Sequence, residues 1–311
     1  TGAIIGTNLD NDYWLPAATV TWNFAQNMQL RLHGSKTIAR PQFRELAPQL
    51  YQDFESNRQF LGNPLLVDSQ LYNAEARYEW FFGRDQRLTL AGFFKKIDKP
   101  IEAVAFVAAG STSLQTGFSN APSAKLYGAE IEAQKYIPLD TLGSGFFATK
   151  RLVLIGNYTF TKSKIESGDE LAPSPIVGAP PVQSSLLFDN GAPLVGQSDH
   201  LVNLQVGFED TETLSQLTVL FNYASERVTN RGPVVEGVRL PDIIEKPGIR
   251  VDVVARQGFH LAGTEFELKF EGRNLTKTRY QEYQTSANDV RLDTNTYNVG
   301  RTFTIGLSAK F

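Results

Sequence analysis

Alternation with a period of two is the feature that most limits what this chain can fold into. Ala18, Val20, Trp22 and Phe24 share one face of an extended segment, with Thr19, Thr21 and Asn23 on the other. Met28, Leu30 and Leu32 then oppose Gln29, Arg31 and His33, and Tyr72, Ala74, Ala76, Tyr78 and Trp80 oppose Asn73, Glu75, Arg77 and Glu79. Leu88, Leu90 and Phe94 follow the turn at Gly83-Arg84-Asp85. Tyr127, Ala129, Ile131 and Ala133 oppose Gly128, Glu130, Glu132 and Gln134. Later segments repeat the pattern with Val202 to Phe208, Leu217 to Tyr223, Val251 and Val253, Phe266 to Phe270, and Val299, Phe303, Ile305, Leu307 and Phe311. Segment 151–163 is less clean, with Leu154, Tyr158 and Phe160 on its apolar face. Successive strand residues point to opposite faces, so each segment is a strand with one apolar side. About eleven strands result, many near the 9–11 residues that a tilted membrane strand needs.

A water-soluble sheet alternates too, so the connections must decide. Counted back from Phe311, they alternate in length. The long ones run near 39–68, 99–123, 164–197, 226–247 and 276–296, and the shorter ones near 25–27, 83–86, 138–149, 210–213 and 259–263. Outer-membrane barrels have this asymmetry, with short periplasmic turns and long extracellular loops, whereas a soluble sandwich has no reason to sort loops by parity. Aromatics gather at strand ends, as at Trp22/Phe24, Trp80/Phe81/Phe82 and Phe93/Phe94, like the girdles at membrane interfaces.

Other classes drop away. No segment approaches the 18 apolar residues of a membrane helix, and the best run, from Ile101, is short and carries Glu102. Cysteine is absent, which removes disulfides and thiolate metal sites, and a net charge of −3 gives no footprint for nucleic acid. The three histidines, His33, His200 and His260, assemble no catalytic set: Ser198-Asp199-His200 are neighbours, and neighbours in a strand face opposite ways. Asp10-Asn11-Asp12 lacks the glycine and distal glutamate of a calcium loop and reads as a solvated turn. No enzyme, cofactor or metal site is expected. Thr1-Gly2-Ala3-Ile4-Ile5 is no signal peptide, so any targeting segment is expected upstream.

The ending Tyr297 to Phe311 resembles the last strand of outer-membrane proteins, in which a terminal aromatic with alternating apolar residues is read by the barrel assembly machinery. That resemblance makes Phe303, Ile305, Leu307 and Phe311 the expected assembly signal. More narrowly, the chain resembles TonB-dependent receptors along its length. The phrases that carry this are Ser35 to Pro41 with Phe43-Arg44-Glu45-Leu46, Gly62-Asn63-Pro64-Leu65, Ala91 to Lys96 with Lys99-Pro100-Ile101-Glu102, Tyr127 to Glu132, and Gly272 to Thr276 followed by Tyr280. The resemblance implies an all-β, antiparallel transmembrane β-barrel, of which these strands form roughly half of about 22. It implies a plug domain and further strands in an N-terminal part upstream, and through that part a link to TonB–ExbB–ExbD. The remaining partners are lipid and lipopolysaccharide of the bacterial outer membrane.

Two groups of candidate residues follow. Arg31, Glu130, Glu132, Glu265, Glu267, Lys269, Glu271 and Arg273 occupy the polar faces and are expected to line the lumen, some against the plug. A water-filled lumen solvates them, whereas Arg or Lys facing lipid costs about 2–4 kcal/mol at the midplane. Arg40, Arg44, Tyr51, Phe54, Arg58, Arg227, Arg231, Tyr280, Tyr283 and Arg291 lie in the long loops, and arginines and aromatics there suit an anionic or glycan-like ligand or lipopolysaccharide. Uptake of a scarce nutrient is the first function expected, a passive porin or structural barrel component the second. By strand parity residues 1–12 lie outside the cell, and the strands at 15–24 and 297–311 are expected to be open edges that a complementary polypeptide closes.

Overall fold

The computed structural model describes residues 9–53, 58–107, 114–143, 145–213, 215–286 and 288–310. Phe54, Phe311 and the Thr1–Ile5 start lie outside them.

Eleven strands form one antiparallel sheet in chain order. They are β1 (Ala17–Ala25), β2 (Met28–Ala39), β3 (Ser69–Gly83), β4 (Gln86–Asp98), β5 (Ser123–Pro138), β6 (Lys150–Glu166), β7 (His200–Asp210), β8 (Ser215–Ala224), β9 (Gly248–Leu261), β10 (Thr264–Arg273) and β11 (Thr302–Lys310). Among the described residues β1 pairs only with β2 and β11 only with β10, so the sheet is not closed. Both ends of this sheet are edges, as expected of strands that resemble half of a barrel.

The register holds the two faces apart across the sheet. Trp22 is opposite Leu30, Leu30 opposite Tyr78, Tyr78 opposite Leu90, and the row continues through Ile131, Tyr158, Val202 and Tyr223 to Ile249. One residue along each strand, Arg31, Arg77, Ala91, Glu130 and Thr159 form the neighbouring row on the other face. Phe221, Phe266 and Ile305 fall on the aromatic face, and Glu267 and Arg273 opposite, as the alternation requires.

Exposure on these faces is inverted relative to a soluble sheet. On interior strands Leu90 is 43% exposed and Ile131 42%, whereas Glu79, Thr89 and Thr218 on the polar face are buried. Continuous exposed apolar surface on this scale marks contact with something other than water, and lipid is the solvent that fits a band of period-two strands. Segment 150–166 read poorly because its polar-face positions Val153 and Ile155 are apolar; Val153 is buried there.

Three of the turns at one end, 26–27, 84–85 and 262–263, have two residues each, and the connection 139–149 there carries a 3-10 turn. Ala262 and Gly263 both have positive φ, the two-residue hairpin geometry whose twist matches the flanking strands. At the other end the long connections are folded. They carry strands of their own in two four-stranded sheets, one of Leu50–Asp53, Arg58–Leu61, Leu114–Asn120 and Ile101–Val107, the other of Arg227–Asn230, Ile243–Glu245, Tyr280–Thr285 and Arg291–Tyr297. Tyr13 joins this end, its hydroxyl donating to Asp68 Oδ2 at 3.1 Å. Period-two alternation in the sequence marks these segments only as loops. Their partners lie far away in sequence, and period alone does not reveal them.

Candidate functional site: the long-loop layer and the polar face

The main apolar core of the described residues lies in the loop layer, where Val104, Ala121, Leu187, Phe188 and Leu194 pack with Ala124 and Ile165 from the ends of β5 and β6. A barrel sheet exposed to lipid on one side and water on the other has no core of its own to offer, so the loops supply one.

Polar groups lock that layer. Arg231 is fully buried. Its Nε donates to Glu102 Oε2 at 3.0 Å, its Nη2 to the same oxygen at 2.5 Å and to the Pro193 carbonyl, and its Nη1 to Asp242 Oδ2 at 2.8 Å. Glu102 in turn accepts from the Val195 amide. Three connections, 99–122, 167–199 and 225–247, therefore meet at one guanidinium, whose fixed fork suits several acceptors at once. Burial pushes the Glu102 carboxyl up, against the pull of Arg231. Arg239 extends the network to Asp242 and Asp189. Arg231, expected among the ligand-contact residues of the loops, is instead fully buried, with all three of its side-chain nitrogens bonded inside the protein.

Asn63 has a similar role for connection 40–68. Its Nδ2 donates to the Phe118 and Ser174 carbonyls at 2.8 and 2.9 Å, and its Oδ1 accepts from the Leu65 amide. Gly62 before it is pressed against Ala47, where a Cβ would stand 2.2 Å from the carbonyl oxygen. Asn274 holds connection 274–301, donating to the Thr278 and Gly300 carbonyls at 3.0 and 2.7 Å. Sequence alone assigns Asn63, Glu102 and Asn274 no role; only Asn63, set between Gly62 and Pro64, carries a local signal of a fixed turn.

The other loop candidates divide by what holds them. Arg58 is ion-paired with the buried Glu282 at 2.5 Å, and Arg227 with Glu245 at 2.8 Å. Tyr283 donates its hydroxyl to Glu226 at 2.9 Å and carries the Arg291 guanidinium 4.1 Å above its ring. Tyr280 stacks on Tyr297 at 4.8 Å, and burial together with Glu282 pushes its hydroxyl pKa up, so it stays protonated. Tyr51 stacks on Phe60, which stacks on Phe118. Arg40 and Arg44, around the one-turn helix Phe43–Leu46, are exposed.

On the polar face Glu130 and Glu132 are half-buried, and Arg87 and Glu132 form an ion pair. An amide ladder crosses three strands there: Asn222 donates to Asn203 at 2.7 Å and Asn203 to Asn157 at 2.8 Å. Arg31 pairs with Glu79, while Lys269 and Arg273 share Glu271. Glu265 and Glu267 lie half-buried on the same face. Ser198, Asp199 and His200 go to separate partners, the Ser225 carbonyl, Lys162 and the Tyr158 hydroxyl, so no triad forms. Among the described residues no group of three or more His, Cys, Asp or Glu is placed to hold a metal.

The profile of the TonB dependent receptor-like β-barrel matches residues 2–311. The chain belongs to the TonB-dependent receptor family. Its fold is shared with a mutant of the ferric enterobactin receptor PfeA from Pseudomonas aeruginosa, at TM-score 0.59 and 13% identity over 97% of this chain and 41% of that one. The siderophore receptors PirA and PiuA from Acinetobacter baumannii give TM-scores of 0.55 and 0.56 at 12% and 14% identity, over 96% and 94% of this chain and 41% and 35% of theirs. The receptor chain thus spans about two fifths of the length of these solved structures. A search of curated proteins finds no match. Members of the family are outer-membrane transport receptors, which agrees with the lipid-type face of this sheet.

Proposed function

We propose that the chain supplies about half of the barrel of an outer-membrane receptor that captures a scarce nutrient at its long loops and passes it inward in a TonB-energised step. An N-terminal part bearing the plug and the remaining strands completes it and makes the contact with TonB–ExbB–ExbD. The observation that carries this reading is the family match over residues 2–311 of a chain whose long connections are built into one packed layer. Ordering so much loop backbone costs entropy, and holding ligand-contacting side chains in place is the return this reading assigns to it. The neighbours named siderophore receptors make a metal chelate the first ligand class to test. In this reading the polar face with Arg31, Glu130, Glu132, Glu265, Glu267 and Arg273 lines the lumen against the plug, and the exposed Arg40, Arg44 and Arg291 with Tyr51 and Tyr283 are the foremost ligand contacts.

The experiment is uptake of labelled ferric siderophores by cells carrying the assembled receptor, with and without TonB. Uptake is expected only with TonB, and Arg40→Ala with Arg44→Ala is expected to weaken capture about tenfold. Uptake that persists without TonB would identify a passive porin instead, and cysteines placed in the long loops should react with membrane-impermeant reagents on whole cells.

The outward row Phe303, Ile305 and Leu307, with Phe311, serves in this reading as the signal for the barrel assembly machinery. Deleting Phe311 is expected to cut the yield of heat-modifiable barrel severalfold while leaving the ligand affinity of the assembled fraction unchanged. Normal yield would count against the assignment.

A further inference from the structure

Two concavities lie one below the other on the polar face of the wall formed by β6 to β9, and they share Asn203 and Asn222. The upper one, about 290 Å³, lies at the long-loop end, where Glu245 and Tyr280 of the loop layer meet Arg250 and Arg279. The lower one, about 280 Å³, is lined by Glu132, Asn157, Gln205, Ile155 and Leu220 besides the shared pair. On β7 the step from Leu201 in the upper concavity to Gln205 in the lower is about 13 Å of strand. The ladder of Asn222, Asn203 and Asn157 forms the sill between them, with Arg250 opposite one end and Glu132 opposite the other.

The charges of the two differ in sign and in freedom. Arg227, Arg231 and Arg239 in the neighbouring connection are each held by a carboxylate. Arg250 and Arg279 are exposed, and among the described residues neither has a carboxylate partner. Glu245, the one carboxylate among the described residues of the upper concavity, is already bonded to Arg227. Two free guanidiniums and the Tyr280 hydroxyl are therefore a donor set for an oxygen-rich anion. The lower concavity reverses this. Its one ionisable residue among those described is Glu132, partly offset by Arg87, and beside it stand amides and two aliphatic side chains. Each ladder amide spends only part of its bonding capacity on its neighbours and keeps hydrogens or lone pairs for a passing group. Attraction at the top, neutral contact at the ladder and mild repulsion below let an anion enter without being trapped.

We propose that this wall is the route by which captured ligand leaves the loop layer: an oxygen-rich anion is held between Arg250 and Arg279, then passed over the asparagine ladder into the lower concavity. The route rests on the receptor reading above and adds to it a stretch of wall and a ligand chemistry.

The test uses the assembled receptor and two radiolabelled probes, anionic iron(III) citrate and a neutral iron(III) trihydroxamate. Affinity is read by equilibrium binding to the purified receptor, and transport as the maximal uptake rate by cells. Wild type is expected to bind iron(III) citrate at least about tenfold more tightly than the trihydroxamate, and Arg250→Gln with Arg279→Gln to lose that preference. Asn157→Leu with Gln205→Leu, which removes polar groups of the lower concavity, should slow maximal uptake of iron(III) citrate about fivefold while moving its affinity less than about twofold. Equal affinity of wild type for the two probes, an unchanged preference in the arginine variant, or wild-type uptake by the second variant would each overturn the proposal. A parallel fall in affinity, or a lowered unfolding temperature, in that second variant would make the ladder a structural seat and overturn it too. Affinity is measured without TonB, whereas the energised reading stands on the TonB dependence of uptake, so the two ideas fail separately.

Discussion

Replacing Glu102 by alanine is expected to disorder the loop layer while leaving the barrel standing. The substitution leaves Arg231 fully buried beside a missing carboxylate, and breaking such a pair from one side costs about 3–5 kcal/mol. Connections 99–122, 167–199 and 225–247 all meet at that guanidinium, so the loss is shared by three elements. The eleven-stranded ladder does not pass through the site. Added protease should therefore cut these loops at least tenfold faster in the variant, ligand capture should fall with them, and migration of the unheated barrel on gels should not change. Asp242 retains its bond to Arg231 Nη1, so Glu102→Gln, which keeps the acceptor, should do less harm than Glu102→Ala. Equal protease resistance in wild type and alanine variant would remove the network from its assigned role.

Residues 1–311 produced alone are expected to give no membrane-inserted barrel. Strands β1 and β11 each have nine residues and one free side, which leaves about nine outward N–H and C=O groups per edge. In lipid each unpaired group costs several kcal/mol, tens of kcal/mol per edge, against a net stability of about 5–15 kcal/mol for a typical domain. Co-production with the proposed N-terminal part, bearing a plug and further strands, should give a heat-modifiable species. A stable, protease-resistant barrel assembled from residues 1–311 by themselves, with β1 bonded to β11, would falsify this.

The barrel was legible because each strand repeats the same statement. Lipid on one side and water on the other impose a period of two over ten or more residues, and Trp22, Tyr78 and Ile305 on one face against Arg31, Glu130 and Arg273 on the other follow from it directly. The loop layer was not legible in that way. Arg231 in sequence is one more loop arginine, and only its meeting with Glu102, 129 positions away, makes it structural. The same holds for Arg58 with Glu282 and for Asn63 with Ser174.

The span of the Arg58–Glu282 pair, 224 positions, bears on the order in which the molecule is made. Every barrel strand bonds to the strand next in the chain order of the sheet, so the wall can grow hairpin by hairpin through contacts of short range. The loop layer obeys a different clock. Its clasp at Glu282 cannot close until the chain between connections 40–68 and 274–301 has been threaded into place, and closing so long a loop is entropically late. A newly inserted receptor should pass through a stage in which the wall is sealed but its outer crown is still loose. During that interval the wall is already held in the membrane, while the loops proposed to capture ligand are unformed and most open to protease.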